Sequence, residues 1–203
     1  MAAVDILSVK VNNNPAPFLS ALSFEIAYEV RESLADDIEW RVVYVGSAES
    51  EAHDQELDAV WLPANQLGRF AFVLEVPAPQ PERVPPTDAV GVTIVLLTCR
   101  YRGREFLRVG YYVNNEYPPE VLAEESARVR QRLLQSGATE EEAEAQAAAT
   151  VDIQPPRWDR ITRHILAEEP RVTRFPCAFD RPAGNKGGVA NGADAALTTP
   201  AAS

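Results

Sequence analysis

Apolar and polar residues alternate position by position through most of the first two thirds of this chain, and a period of two is the signature of β-strands. From Leu22 to Val30, Phe24, Ile26, Tyr28 and Val30 share one face while Glu25 and Glu29 take the other. Ile38 to Val45 repeats the pattern with Trp40, Val42 and Tyr44 in phase, and Phe70, Phe72, Leu74 and Val76 mark a further strand after Gly68. Val4 to Val11 predicts a first strand, stopped by Asn12-Asn13-Asn14-Pro15. Pro77 to Pro86 has to be a loop, because proline interrupts sheet and helix ladders alike. A last strand is expected near Arg171 to Phe179.

The densest signal is Val90 to Tyr117, which predicts two long strands joined by a tight turn at Arg102-Gly103. The first of them is apolar on both faces: Val92, Ile94 and Leu96 point one way, and Thr93, Val95, Leu97 and Cys99 the other. One face covers a core. The other must be buried by more of the chain or kept for a partner. A two-residue loop would set Leu96 opposite Val109; a three-residue loop with a glycine bulge would set Ile94 opposite Tyr112 and Thr98 opposite Arg108. The second register is preferred, because it buries Leu107, Val109 and Val113 with Val95 and Leu97. It leaves Val92, Ile94, Leu96 and Tyr112 as an outward apolar patch with Arg108 at its rim.

Seven or more short strands divided by Pro, Gly and Asn clusters predict an all-β fold, an immunoglobulin-like antiparallel β-sandwich. A buried Trp40 suits that fold. Residues 119 to 150 differ in kind, being rich in Ala, Glu, Arg and Leu. They predict a helical insert before the last strand, with Val121, Leu122, Val129, Leu133 and Leu134 as a stripe broken at Ser136-Gly137. Thr139 with Glu142 resembles a capping box opening a second helix, which has almost no large apolar side chain and is expected to be solvated or partly disordered. Trp158 to Glu168 is expected to be another short helix, so the helix-prone insert runs over about 119–168. The expected domain is 1–180, and 181–203, made largely of Gly, Ala, Asn and Thr, is expected to be a disordered tail.

Composition narrows the function classes. The 203 residues carry 19 basic and 30 acidic side chains, a net charge of −11 and a pI near 4.7. That balance argues against direct nucleic-acid binding, which rests on cationic contacts to phosphate. It suits a basic partner, and Glu49, Glu51, Asp54, Glu56 and Asp58 form an acidic run near the patch. No secretory h-region opens the chain and no long apolar run predicts membrane insertion. Two cysteines, Cys99 and Cys177, are too few for a disulfide framework or a zinc site and fit a reducing compartment. His53 and His164 lie far apart, and no phosphate-cradling loop, metal-ligand spacing or nucleophile elbow is present. No catalytic residue, metal or cofactor is expected, and the chain is not expected to be an enzyme.

Three segments carry a family resemblance: EWRVVYVGSAESEAHDQELD (Glu39 to Asp58), DAVGVTIVLLTCRYRGREFLRVGYYVNNEY (Asp88 to Tyr117) and ILAEEPRVTRF (Ile165 to Phe175). They closely resemble the anti-silencing function histone chaperones, over nearly all of residues 4 to 118 and again from about Arg160 to Phe179. The resemblance implies an immunoglobulin-like sandwich that binds the dimer of histones three and four in nucleosome assembly and disassembly, in the nucleus, without a cofactor. It implies a chain that is monomeric before histone binding. Carried over by position, the surface for the third histone's C-terminal helix matches Val45, Asp54, Asp88, Val92, Ile94, Leu96, Arg108 and Tyr112. Ile94 would be the central anchor in place of a valine common in the family, with Asp54 and Asp88 meeting histone bases and Arg108 a histone acid. Pro170, Arg171, Val172 and Thr173 match where the fourth histone's C-terminal tail adds as a strand. Asp36, Asp37 and Glu39, with Leu62 and Phe72 as apolar neighbours, match a second site for basic peptides of chromatin assembly and histone regulator complexes. Phe72 is also in phase with core positions Phe70 and Leu74. Two departures stand out: the insert between about Glu124 and Pro156 is longer than usual, and the long acidic tail of some members is missing, so a loose tail-borne hold on histones should be weak or absent. The alternative is an immunoglobulin-like adaptor that binds another basic amphipathic helix.

Overall fold

A computed structural model describes residues 3–149 and 153–180. Ten strands and two α-helices follow one another as β1 (Val4–Asn12), β2 (Ala16–Pro17), β3 (Leu22–Val30), β4 (Ile38–Tyr44), β5 (Gln55–Leu62), β6 (Gly68–Val76), β7 (Gly91–Tyr101), β8 (Arg104–Glu116), α1 (Pro119–Gln135), α2 (Glu140–Ala149), β9 (Thr162–Ile165) and β10 (Arg171–Arg174). Two antiparallel sheets result. One has the order β1-β3-β6; the other has the order β2-β9-β8-β7-β4-β5, with β10 also paired to β8. They face each other as the sandwich that the alternation predicts. The expected tail, 181–203, lies outside the described residues.

The inward faces are the ones the period of two assigns. Phe24, Ile26 and Tyr28 of β3 meet Trp40, Val42 and Tyr44 of β4, and Val95, Leu97, Leu107, Val109 and Val113 of β7 and β8, all buried. Aromatic contacts cross the gap: Phe24 stacks with Tyr111 at 6.4 Å between centroids, and Tyr28 meets Trp40 at 5.8 Å. Such pairs add to the area they bury.

The β7–β8 hairpin resolves the register by combining both sequence alternatives. Arg102 (φ 50°) and Gly103 (φ 74°) form a two-residue turn closed by the pair Tyr101–Arg104, since both central residues of such a turn take positive φ. The register then shifts between Cys99 and Arg100, where Phe106 is the extra residue on the return strand. Beyond that bulge Ile94 faces Tyr112 and Thr98 faces Arg108, the preferred register. The bulge sits at Phe106 and not at the glycine. It turns Tyr112 outward; without it the same residue would point into the core.

Two expectations need correction, and one strand was not foreseen. Trp158 to Glu168 is not a helix: a 3-10 turn over Trp158–Arg160 leads into β9, in which Arg163 and Ile165 are buried while His164 is exposed. The buried arginine hides the period of two. Its guanidinium donates to the carbonyls of Phe18 (3.1 Å), Ser20 (3.0 Å) and Ala21 (3.2 Å). Burial pulls its pKa down to about 10, so it stays charged at neutral pH. A strand that the alternation did not mark is β5, an edge strand paired to β4 that takes in the second half of the acidic run. Buried Gln55 is its hinge, bonded twice to the Gln80 backbone (3.1 and 2.7 Å), so the proline loop is tied to the sheet. Finally, α2 is ordered. Thr139 and Glu142 cap it reciprocally, and Ala143 and Ala147 bury themselves against α1.

Candidate functional site: the outer face of the β7–β8 hairpin

Of β7 and β8, the face turned away from the core is the one that matters. Val92 is 69% exposed and Tyr112 41% exposed; Ile94 and Leu96 are half-buried between them. Ile94, Leu96 and Tyr112 form a ridge shared by two hollows. The first, about 140 Å³, is walled by Arg108 of β8 and by Arg171 and Thr173 of β10. Gly110 lies opposite Leu96 at its floor, where a Cβ would come within 3.4 Å of a Leu96 methyl. The second hollow, about 490 Å³, runs from Val92 toward Val45, Glu51 and Asp54. The patch is therefore apolar along its crest, acidic on one flank and basic on the other.

Backbone bonds set these positions. The Val45 N–H donates to the Ile94 carbonyl at 3.0 Å, so the end of β4 is fastened to the ridge. Past Gly46 and Ser47 the chain enters a 3-10 turn, Glu51–His53, whose Ser50 cap and links to Arg83 hold Asp54 in place: Arg83 donates to the Asp54 carbonyl at 2.8 Å. The side chain of Asp54 is different. Its Oδ1 is buried without a hydrogen-bond partner, and among the described residues the carboxylate has no ion pair. Desolvation first, and the Glu51 charge second, raise its pKa above the ordinary carboxylate value. A half-buried anion left without a donor is a seat for an incoming cation.

That arrangement has a pH consequence. A cation placed on Asp54 stabilises the ionised form, so its pKa is lower in the complex than in the free chain. Affinity for a cationic ligand is full above the raised free pKa and falls as pH descends through it, starting higher than the usual carboxylate range near 4. Asp54→Asn is expected to weaken binding and remove this first acidic limb, measured by isothermal titration from pH 7.5 to about 5. An unchanged limb in the variant would remove Asp54 from the ligand's path.

The other expected residues are placed as follows. Arg108 is held by Glu105 through two bonds (2.6 and 3.0 Å) and lies over the Phe175 ring at 5.4 Å. It is thus preorganised, with Nη1 outside that bidentate pair. Asp88 belongs to a 3-10 turn, Pro86–Asp88, ahead of β7 and does not line either hollow. Pro170 precedes β10; Arg171, Val172 and Thr173 are exposed on it, and among the described residues β10 pairs with β8 alone, so its second edge is open. Among the described residues the insert does not roof the patch: none of its residues lines either hollow, and Val92, toward the α1 end of the hairpin, stays open to solvent.

Asp36, Asp37 and Glu39 do come together, on the outer side of the β4 end, around a hollow of about 430 Å³ shared with Trp61, Arg100 and Arg102. Leu62 and Phe72 are not in it. Leu62 pairs with Ile38 and packs on the core, and Phe72 rests on Tyr28 (6.0 Å) and Trp40 (5.9 Å), both at the margin where β5 and β6 approach. The apolar neighbour of the acids is Trp61, 59% exposed and paired across the strands with Glu39. The sequence pattern missed it because β5 was not recognised; once β5 is a strand, parity alone puts Trp61 on the Glu39 face.

Among the described residues no group of three or more His, Cys, Asp or Glu side chains could hold a metal, and no helix is long and apolar enough to cross a membrane. Comparison with known proteins gives a direct result. The family described as ASF1 like histone chaperone matches residues 1–180. The chain is 46% identical over 182 residues to histone chaperone ASF1B of Mus musculus, covering 89% of this chain and 76% of that protein. It is 42% identical over 194 residues to histone chaperone asf1 of Drosophila melanogaster, covering 95% and 77%. A probable histone chaperone ASF1A of Arabidopsis thaliana is 42% identical over 182 residues, covering 88% and 78%. With matches of this length and identity, the chain belongs to the ASF1-like histone chaperone family, a family without enzymatic activity.

Proposed function

We propose that this chaperone binds the dimer of histones three and four through the outer face of the β7–β8 hairpin and hands it on in nucleosome assembly and disassembly, in the nucleus. One observation supports this most: the ridge of Ile94, Leu96 and Tyr112 faces solvent between an unpartnered acid, Asp54, and two bases, Arg108 and Arg171. An amphipathic helix with apolar residues toward the ridge and a cation toward Asp54 fits that pattern, as the third histone's C-terminal helix would. The open edge of β10 suits addition of a strand by main-chain hydrogen bonds, the role assigned to the fourth histone's tail at Pro170–Thr173. Asp88 joins through long-range charge only. Basic peptides of chromatin assembly and histone regulator complexes are placed at the hollow of Asp36, Asp37 and Glu39.

The test is titration of the chain with a purified dimer of histones three and four, with a dimer of histones two A and two B and an unrelated basic amphipathic helix as competitors. Tight binding to the first alone is expected, with association slowed by salt because the flank is acidic, and dissociation less affected. Equal binding to the unrelated helix would favour an adaptor instead.

A further inference from the structure

After β10 the chain returns across the tip of the β7–β8 hairpin. Phe179 packs on Tyr101 at 5.9 Å and on Phe106, the bulge residue, at 5.1 Å. Asp180 then accepts from the Ala35 N–H at 2.6 Å and from the Tyr101 hydroxyl at 2.8 Å. The same hydroxyl accepts from the Asp36 N–H at 3.3 Å. The loop that carries Asp36 and Asp37 is therefore fastened through its own backbone to residues 145 positions later in the chain.

Arg102 is shared in this clasp: its Nε binds Asp36 at 2.5 Å and its Nη1 binds Asp180 at 3.0 Å. Glu39 shares Arg41 with Glu56, so its charge is only partly met. The lining itself holds Asp36, Asp37 and Glu39 against Arg100 and Arg102, one more anion than cation, and Asp180 adds a further negative charge through Arg102. Among the described residues Asp37 has no ion pair. Without Asp180 the excess of negative charge is smaller, and among the described residues Arg102 keeps Asp36 as its one ion-pair partner, with the Tyr101 ring beneath it.

We propose that Phe179 and Asp180 are positioning residues of the acidic hollow: they hold the loop of Asp36 and Asp37 in place, and Asp180 takes a share of the Arg102 charge that would otherwise fall wholly on Asp36, so that the hollow stays open to an arginine- or lysine-bearing peptide. This rests on the assignment of that hollow as a peptide site. Loss of the clasp frees the loop, removes a negative charge and releases an internal cation that competes for Asp36, and all three changes weaken a cationic ligand's hold.

The experiment uses the full chain and a fluorescein-labelled peptide of alternating arginine and valine, read by anisotropy, with amide hydrogen exchange at Ala35 and Asp36 followed in the unliganded chain. Asp180→Asn, which removes the charge, and Phe179→Ala are expected to weaken the peptide about tenfold, and Asp180→Ala and Phe179→Ala, which remove the acceptor and the packing, to speed exchange at both amides, while histone-dimer affinity is unchanged. Arg102→Gln added to Asp180→Asn is expected to recover binding to within about threefold of wild type, which simple loop support would not do. Unchanged exchange in Asp180→Ala, or no recovery on removing Arg102 from Asp180→Asn, overturns the proposal. If Asp36→Asn with Asp37→Asn abolishes peptide binding while Asp180→Asn and Phe179→Ala do not, the hollow stands and the clasp role falls. If that double variant binds as wild type does, the peptide-site assignment fails, and the proposal fails with it.

Discussion

Ile94→Arg is expected to abolish binding of the histone dimer while the domain stays folded. Ile94 is half-buried at the outer face of β7, so in the free chain a long arginine can extend along the ridge and keep its head in water. In a complex that escape closes. The guanidinium would be trapped in an apolar contact without a partner, beside Arg108 and Arg171, which line the same hollow. A cost of about 4 kcal/mol, roughly a thousandfold in affinity, is expected. Ile94→Val, which trims one methylene and keeps the shape, should cost less than about 1.5 kcal/mol. Calorimetry gives the affinities and thermal melting the control. Affinity of the arginine variant within tenfold of wild type would place the histone elsewhere.

The second large effect is on stability. Arg163→Leu is expected to cost about 2–4 kcal/mol, a fall in melting temperature of roughly 5–12 °C, because the buried carbonyl of Phe18 and the part-buried carbonyls of Ser20 and Ala21 lose their donor. Leucine matches the apolar surroundings but cannot satisfy those oxygens. The side-chain tether from β9 to residues 18–21 is lost while the main-chain pairing of β2 with β9 remains, and histone binding by what remains folded should be normal, since Arg163 lines neither hollow of the ridge. A melting temperature within about 2 °C of wild type would mean that the loop relaxes and recruits water to those carbonyls.

Why some parts were legible and others not follows from the same rules. Where apolar and polar residues alternate, as in β3 and β4, parity assigned both strand and face; β7 is apolar on both sides, and its outward face followed from its register with β8. The site was legible for the same reason: Val92, Ile94, Leu96 and Tyr112 share a face because side chains in a strand must. β9 was illegible because an arginine occupies an inward position, and satisfaction of its charge by backbone carbonyls leaves no trace in the sequence. β5 was obscured by its acids, which sit on the solvent side of an edge strand. The clasp of Phe179 and Asp180 joins residues 145 apart through a backbone amide, which no local pattern records. Phe106 is instructive: a single extra residue, invisible to periodicity, decides which side of β8 meets the solvent.

The central claim is that the outer face of β7 and β8 receives a helix of the third histone. Its most direct test is a methyl footprint: the chain labelled at Ile, Leu and Val methyls, titrated with the histone dimer and followed by NMR. Shifts are expected to concentrate at Val92, Ile94 and Leu96, with Val73, exposed on the three-stranded sheet, as the unmoved control. Shifts centred on Val73, with Ile94 and Leu96 silent at saturation, would contradict the claim.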